Sequence, residues 1–118
     1  MRRARGEFER ARKARDELGA GQSAEKAWLA VAEASHALFR LTGVPERKLP
    51  QGHQGVFSLL RRYAAPDMVR SFLHARGILH TEVFYRGAVD WPTVAETLAE
   101  AEGFVRRVRD AACRQMTG

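Results

Sequence analysis

Arg76 and His80 stand four residues apart, inside a segment whose apolar residues recur at helical spacing. On an α-helix that separation stacks two side chains one turn apart on one side, within reach of a single ligand. The residue types suit phosphate chemistry. An imidazole can act as general base or acid at a ribose hydroxyl, and a guanidinium can stabilise a charged phosphoryl transition state. Placing residues 100° apart puts both in the middle of an apolar face formed by Val69, Phe72, Leu73, Leu79 and Val83. A guanidinium there must find a carboxylate, open onto a cleft or lie at a subunit boundary, because an unpaired buried charge is very costly. The alternative to a functional pair is structural, with Arg76 ion-paired to a neighbouring helix and His80 hydrogen-bonded in the core. His74 and Arg70 fall on the outer face, where solvation accounts for them.

Other chemistry finds less support. His74 and His80 project to different sides, and no spacing of carboxylates and histidines resembles a metal site, so no metal is expected. No glycine-rich phosphate loop follows a strand, and Met68 and Met116 form no cofactor pattern, so no cofactor is expected either. Cys113 has no adjacent histidine and reads as a small core or surface residue.

The elements that must position Arg76 and His80 are helices. The 118 residues suit one domain, 1–118, with a basic first helix over 1–20 and the rest of the bundle over 21–118. The first helix reads from Arg3 to Leu18 with a thin stripe of Ala4, Phe8, Ala11 and Leu18, and Gly19 and Gly21 stop it. A second starts behind Ser23 as N-cap and runs to Thr42. Its Ala27, Trp28, Val31, Ser35, Leu38 and Thr42 mark one face, and Leu29, Ala30, Ala34, Ala37 and Leu41 widen it enough for the middle of a bundle. After the Gly43, Pro45 and Pro50 connector, a short third helix over 52–64 turns Val56, Phe57, Leu60 and Tyr63 inward. The fourth opens at Pro66 and Asp67 and ends before Gly87. Asp90 caps a fifth, in which Trp91, Val94, Leu98, Ala101, Val105, Val108 and Ala112 make a seam spaced three and four apart. No strand pattern competes, so the expected fold is all-α, a single up-and-down bundle of four to five helices.

Seventeen arginines against three lysines, no asparagine and a net charge of +6 make an anionic partner worth testing. Arg2, Arg3, Arg5, Arg10, Arg12, Lys13 and Arg15 crowd the first helix beside Glu7, Glu9, Asp16 and Glu17, the pattern of a salt-bridged, solvated face. Only Phe8 interleaves with them, which gives no base-stacking platform there. A single cysteine fits a reducing interior, and no apolar run reaches the roughly 20 residues of a membrane span, so a cytoplasmic protein without membrane contact is expected.

The order of signals resembles a known family. Ala27-Trp28-Leu29-Ala30-Val31-Ala32-Glu33-Ala34 leads to Leu38 and Gly43, and Pro50-Gln51-Gly52-His53 opens the third helix. Leu79-His80-Thr81-Glu82-Val83-Phe84-Tyr85-Arg86-Gly87 closes the fourth. Over residues 20–110 this resembles the HEPN superfamily of helical bundles, most closely its archaeal PaREP-type branch. The resemblance implies a bundle that dimerises through its long helices, and many members are toxins or partners of small nucleotidyltransferases. It also implies a ligand site drawing on Arg76, His80, Tyr85 and His53. Active members are metal-independent ribonucleases with an arginine, four to six residues, then a histidine, roles that Arg76 and His80 would take. Only Gly77, Ile78 and Leu79 separate them here, one residue short, and Gly77 stands where a polar residue usually follows the arginine. The leading expectation is therefore a dimeric module that binds nucleotide, RNA or a partner protein, within a toxin–antitoxin-type pair. The alternatives are an endoribonuclease using Arg76 and His80 of both subunits, and a purely structural dimer.

Overall fold

The computed structural model describes the backbone of residues 2–117 and the side chains of 3–114, so the expectations on the Arg2 and Met116 side chains fall outside the described residues. The fold is an all-helical bundle: α1 (Arg2–Ala14), α2 (Glu17–Leu41), α3 (His53–Tyr63), α4 (Pro66–His74, continued as a π-helical segment, Ala75–Tyr85) and α5 (Trp91–Thr117). Among the described residues there is no strand, and no helix is long and apolar enough to cross a membrane.

The first boundary differs from the sequence reading. Gly19 and Gly21 do not stop a helix, because both lie inside α2, and α1 covers 2–14 rather than 1–20. The break is at Arg15, whose φ of 52° is left-handed, while the Asp16 N–H reaches back to the Ala11 carbonyl at 2.8 Å. Asp16, not Ser23, caps α2, its Oδ1 accepting the Gly19 N–H at 3.1 Å. Ser23 is buried one turn further in, where its hydroxyl donates to the Gly19 carbonyl at 2.9 Å. Gly19 is there for close approach. A Cβ would meet the Asp16 carboxylate at 2.6 Å and the Ala11 methyl at 3.2 Å, so its absence lets the cap and α1 fold against the start of α2. Leu18, expected on the α1 stripe, points to solvent from α2 instead.

Ala4, Phe8 and Ala11 bury the remaining stripe of α1, with the Phe8 ring 5.7 Å from Trp91 of α5. Ion pairs flank it, Lys26 to Glu7 at 2.6 Å and Arg5 to Glu102 at 2.5 Å. The hydrogen-bonded Lys26 holds the Glu7 carboxyl below the usual range, and Arg5 does the same for Glu102. The basic helix is thus a salt-bridged face, worth little stability per exposed pair.

α2 runs through the bundle as its most surrounded element, burying Ala20, Ala24, Ala27, Trp28, Val31, Ala34, Ser35 and Phe39. Leu29, which widens the projected face, is exposed. In α3, Val56 and Leu60 are buried and Phe57 is half-covered, but Tyr63 is exposed, its ring centroid 6.5 Å from that of Phe39. Asp90 precedes α5 as expected, its carboxylate taking the Thr93 hydroxyl, and the stripe Val94, Leu98, Ala101 and Val108 is buried against α2, α4 and the π-helical segment, together with Phe104.

The π-helical segment was not foreseen. Eleven residues is longer than the single-turn π-bulges that are usual. Its end keeps the wide winding: the Arg86 N–H bonds the Thr81 carbonyl five residues back, and the Ala88 N–H bonds the Glu82 carbonyl six back. Gly87, with φ 68°, supplies the left-handed residue that the reversal needs.

A left-handed arginine stores about 1–2 kcal/mol of strain. Arg15→Gly is therefore expected to raise stability by about 1 kcal/mol after the added freedom of the unfolded chain is discounted, a rise of a few degrees in Tm by differential scanning calorimetry. An unchanged or lowered Tm would show that Arg15 makes a compensating contact.

Candidate functional site

The site forms where α2, the start of α3 and the π-helical segment meet. Trp28, fully buried on α2, is its floor. Around it lie Phe72 at 5.3 Å, His53 at 4.9 Å and His80 at 5.5 Å between ring centroids. His80 is the hub. His53 and Tyr85 stand edge-on to its ring at 5.2 and 4.9 Å, and Phe84 lies nearly parallel at 6.3 Å.

His80 also has a carboxylate partner. Its Nδ1 lies 2.8 Å from Glu25 Oε1, and both side chains are largely buried. A carboxylate there accepts a hydrogen bond from the Nδ1–H, which orients the ring and leaves Nε2 for other contacts. That is the arrangement in which an imidazole is oriented to take or give a proton at its other nitrogen. Nothing in the sequence reading singled out Glu25. The available signal was its position three residues before Trp28 on α2, which places a carboxylate beside the aromatic floor.

His53 has a different electrical setting. Burial is the main cause that pushes its pKa below 6.5, followed by the positive charge of His80 and then of Arg76, with Glu25 opposing them. It is also the first residue of α3, where the helix dipole disfavours a cation. His53 therefore stays neutral where an ordinary histidine has begun to protonate.

The structure thus brings together His53, His80 and Tyr85, three of the four residues named from sequence. The fourth lies elsewhere than expected. Arg76 is exposed, not centred on the apolar face, and among the described residues no carboxylate pairs with it. The buried stripe is Met68, Phe72, Ala75, Leu79 and Val83. Val69 and Leu73 drew the projected face about one residue too far round, and Leu73 is itself exposed. Arg76 still bears on the cluster through its charge, felt at His53. His74, read as simply solvated, sits exposed but takes Glu100 of α5 as partner at 3.0 Å.

No family model, curated protein or solved structure matches this chain.

Read on its own chemistry, the site offers an aromatic surface that faces water, one oriented imidazole and one unpaired guanidinium at the edge. Tyr85 is 71% exposed and Phe84 40%, so both present ring surface to solvent beside His80. Among the described residues no three His, Cys, Asp or Glu side chains are disposed to hold a metal ion.

The electrostatics give a titration with a known sign. The unfolded chain protonates His53 first as pH falls through about 6.5, so this residue costs nothing above that value, its cost grows as pH falls toward the depressed folded pKa, and the full cost persists below it. An NMR titration of the His53 ring should give a midpoint below 6.5. Arg76→Gln and His80→Gln should each move it up, and Glu25→Gln should move it further down. A midpoint indifferent to Arg76→Gln would place that guanidinium away from the cluster.

Proposed function

We propose that this chain is a HEPN-like helical module, working as a cytoplasmic homodimer, that binds single-stranded RNA or a nucleotide through the face of His53, His80 and Tyr85 with Arg76 at its edge. One observation carries the reading: His53 of α3 meets His80 and Tyr85 of the π-helical segment, and the Tyr85 ring is open to solvent there, with the charge of Arg76 felt at His53. Exposed rings stack unpaired bases whatever their sequence, and a guanidinium draws the phosphate. The net charge of +6 favours such a ligand. The HEPN-like fold, the homodimer and a nucleotidyltransferase-type partner in a toxin–antitoxin-type pair rest on the sequence resemblance.

The endoribonuclease reading stands second, favoured by one feature. Glu25 fixes the His80 ring with Nε2 free, which suits proton transfer at a ribose hydroxyl. Binding needs only the charge of Arg76 and a stacking surface, whereas cleavage also requires Arg76 and Nε2 to meet the same phosphodiester. The exposure of Arg76 favours binding.

Fluorescence anisotropy with labelled mixed-sequence single-stranded RNA in EDTA tests this. Binding should weaken as salt rises. Tyr85→Ala should weaken it about fivefold or more, the loss of one stacked base, and Arg76→Ala should flatten the logarithmic salt slope by about 0.7. Metal-independent cleavage lost in both Arg76→Ala and His80→Ala would replace binding with catalysis as the function. A folded wild type that binds no RNA or nucleotide would leave the purely structural reading.

A further inference from the structure

Beside the histidine cluster, and sharing Phe84 with it, lies a second feature that the ligand face does not use. A cavity of about 170 Å³ opens between the start of α2 and the end of the π-helical segment, lined by Glu17, Leu18, Gly21, Gln22, Val83 and Phe84. Leu18, Val83 and Phe84 make its lining mainly apolar, and Glu17 and Gln22 are its polar members. Leu18 is 74% exposed, the most exposed large apolar side chain among the described residues. A leucine left so open at the first turn of α2 has no role in the core. Gly21 is buried at the cavity and keeps it open: a Cβ there would meet only the Val83 carbonyl at 3.7 Å and the Phe84 backbone at 3.9 Å, ordinary contacts, so glycine is not demanded by packing.

Phe84 joins this cavity to the site already described. Its ring lies 5.3 Å from Tyr85 and 6.3 Å from His80, and it is also a cavity wall. A strand whose one base stacks on Tyr85 therefore has an apolar recess next to it for the neighbouring base. Two of its lining residues carry groups suited to base edges. The Gln22 carboxamide both donates and accepts, and the Glu17 carboxylate only accepts. A carboxylate suits the exocyclic amino group of cytosine and rejects a keto oxygen at the same place. It also repels phosphate, which keeps the ligand backbone off Glu17. An apolar side chain of a protein would fill the recess equally well but would leave Glu17 and Gln22 without use.

From this we infer that the Leu18–Phe84 recess is a second base subsite, which takes an unpaired, amino-bearing base adjacent to the one on Tyr85. The inference rests on the RNA-binding reading and makes the preferred ligand at least a dinucleotide.

Calorimetric titration of the intact protein with cytidine monophosphate, CpC and UpU tests it. CpC should bind at least about fivefold tighter than cytidine monophosphate, the gain of one further stacked base, and tighter than UpU. Leu18→Ser should remove the gain while leaving cytidine monophosphate unaffected, because Leu18 is exposed and does not touch the histidine cluster. Glu17→Ala should erase the difference between CpC and UpU. Gly21→Ala, which narrows the recess with ordinary contacts, should reduce the gain without harming the fold. Equal affinity for the mononucleotide and CpC would overturn the subsite and leave the Tyr85 face standing. Failure of folded protein to bind any of the three would overturn both. Self-association in light scattering that Leu18→Ser abolishes, with no gain for CpC, would make the patch a protein contact and also overturn the subsite.

Discussion

Trp28 is the largest fully buried side chain among the described residues, and keeping water from its indole requires three other segments to be in place. α4 supplies Phe72, α3 supplies His53 and the π-helical segment supplies His80. Two of these three are titratable, so the same packing that stabilises the bundle fixes the rings of the candidate site. A large aromatic side chain buries about 150–250 Å², and truncation costs about 3–5 kcal/mol. Loss of Trp28 would thus remove stability and site geometry together, and no substitution there separates the two.

The sequence was most legible where a residue acts through its own backbone chemistry or through a long unbroken stripe. Asp90 beside Pro92, Gly87 after Tyr85 and the α5 stripe all lie where their chemistry puts them. It was least legible where two contacts compete for one residue. Gly19 carries the signal of a helix stop, yet its missing side chain serves a close crossing inside a helix, and the stop falls on an arginine that no rule marks. Arg76 was misplaced for a related reason. Leu73 is apolar yet exposed and Val69 is only partly buried, so a wheel that weighs all apolar residues alike turns too far. His53, His80 and Tyr85 could be named but not joined by periodicity, since their meeting depends on how α3 returns across α2. Glu25 escaped because a single acidic residue on a helix is ordinarily solvated.

The charges around His80 divide the site into two sides. Glu25 holds Nδ1 of His80, whereas burial, then His80 and then the exposed Arg76 discourage a proton on His53. One imidazole is thus tied to an anion and the other is kept neutral, although the two rings touch. Two adjacent imidazolium rings would repel each other, and this division lets the pair remain in contact near neutral pH. The rings can then serve as flat surfaces as well as acid–base groups.

The winding of the π-helical segment ties chain length to the direction in which the site faces. A helix closed by bonds five residues apart packs more residues into each turn than the 3.6 of an α-helix. The segment over 75–85 therefore stores spare chain between a fixed α4 and a fixed α5 cap. The loss of one residue there can be taken up by rewinding toward an α-helix. Rewinding to take up that loss would turn His80 and Tyr85 about the helix axis, off Glu25 and off the aromatic floor. In this bundle the number of residues in one helix and the aim of its site are a single variable.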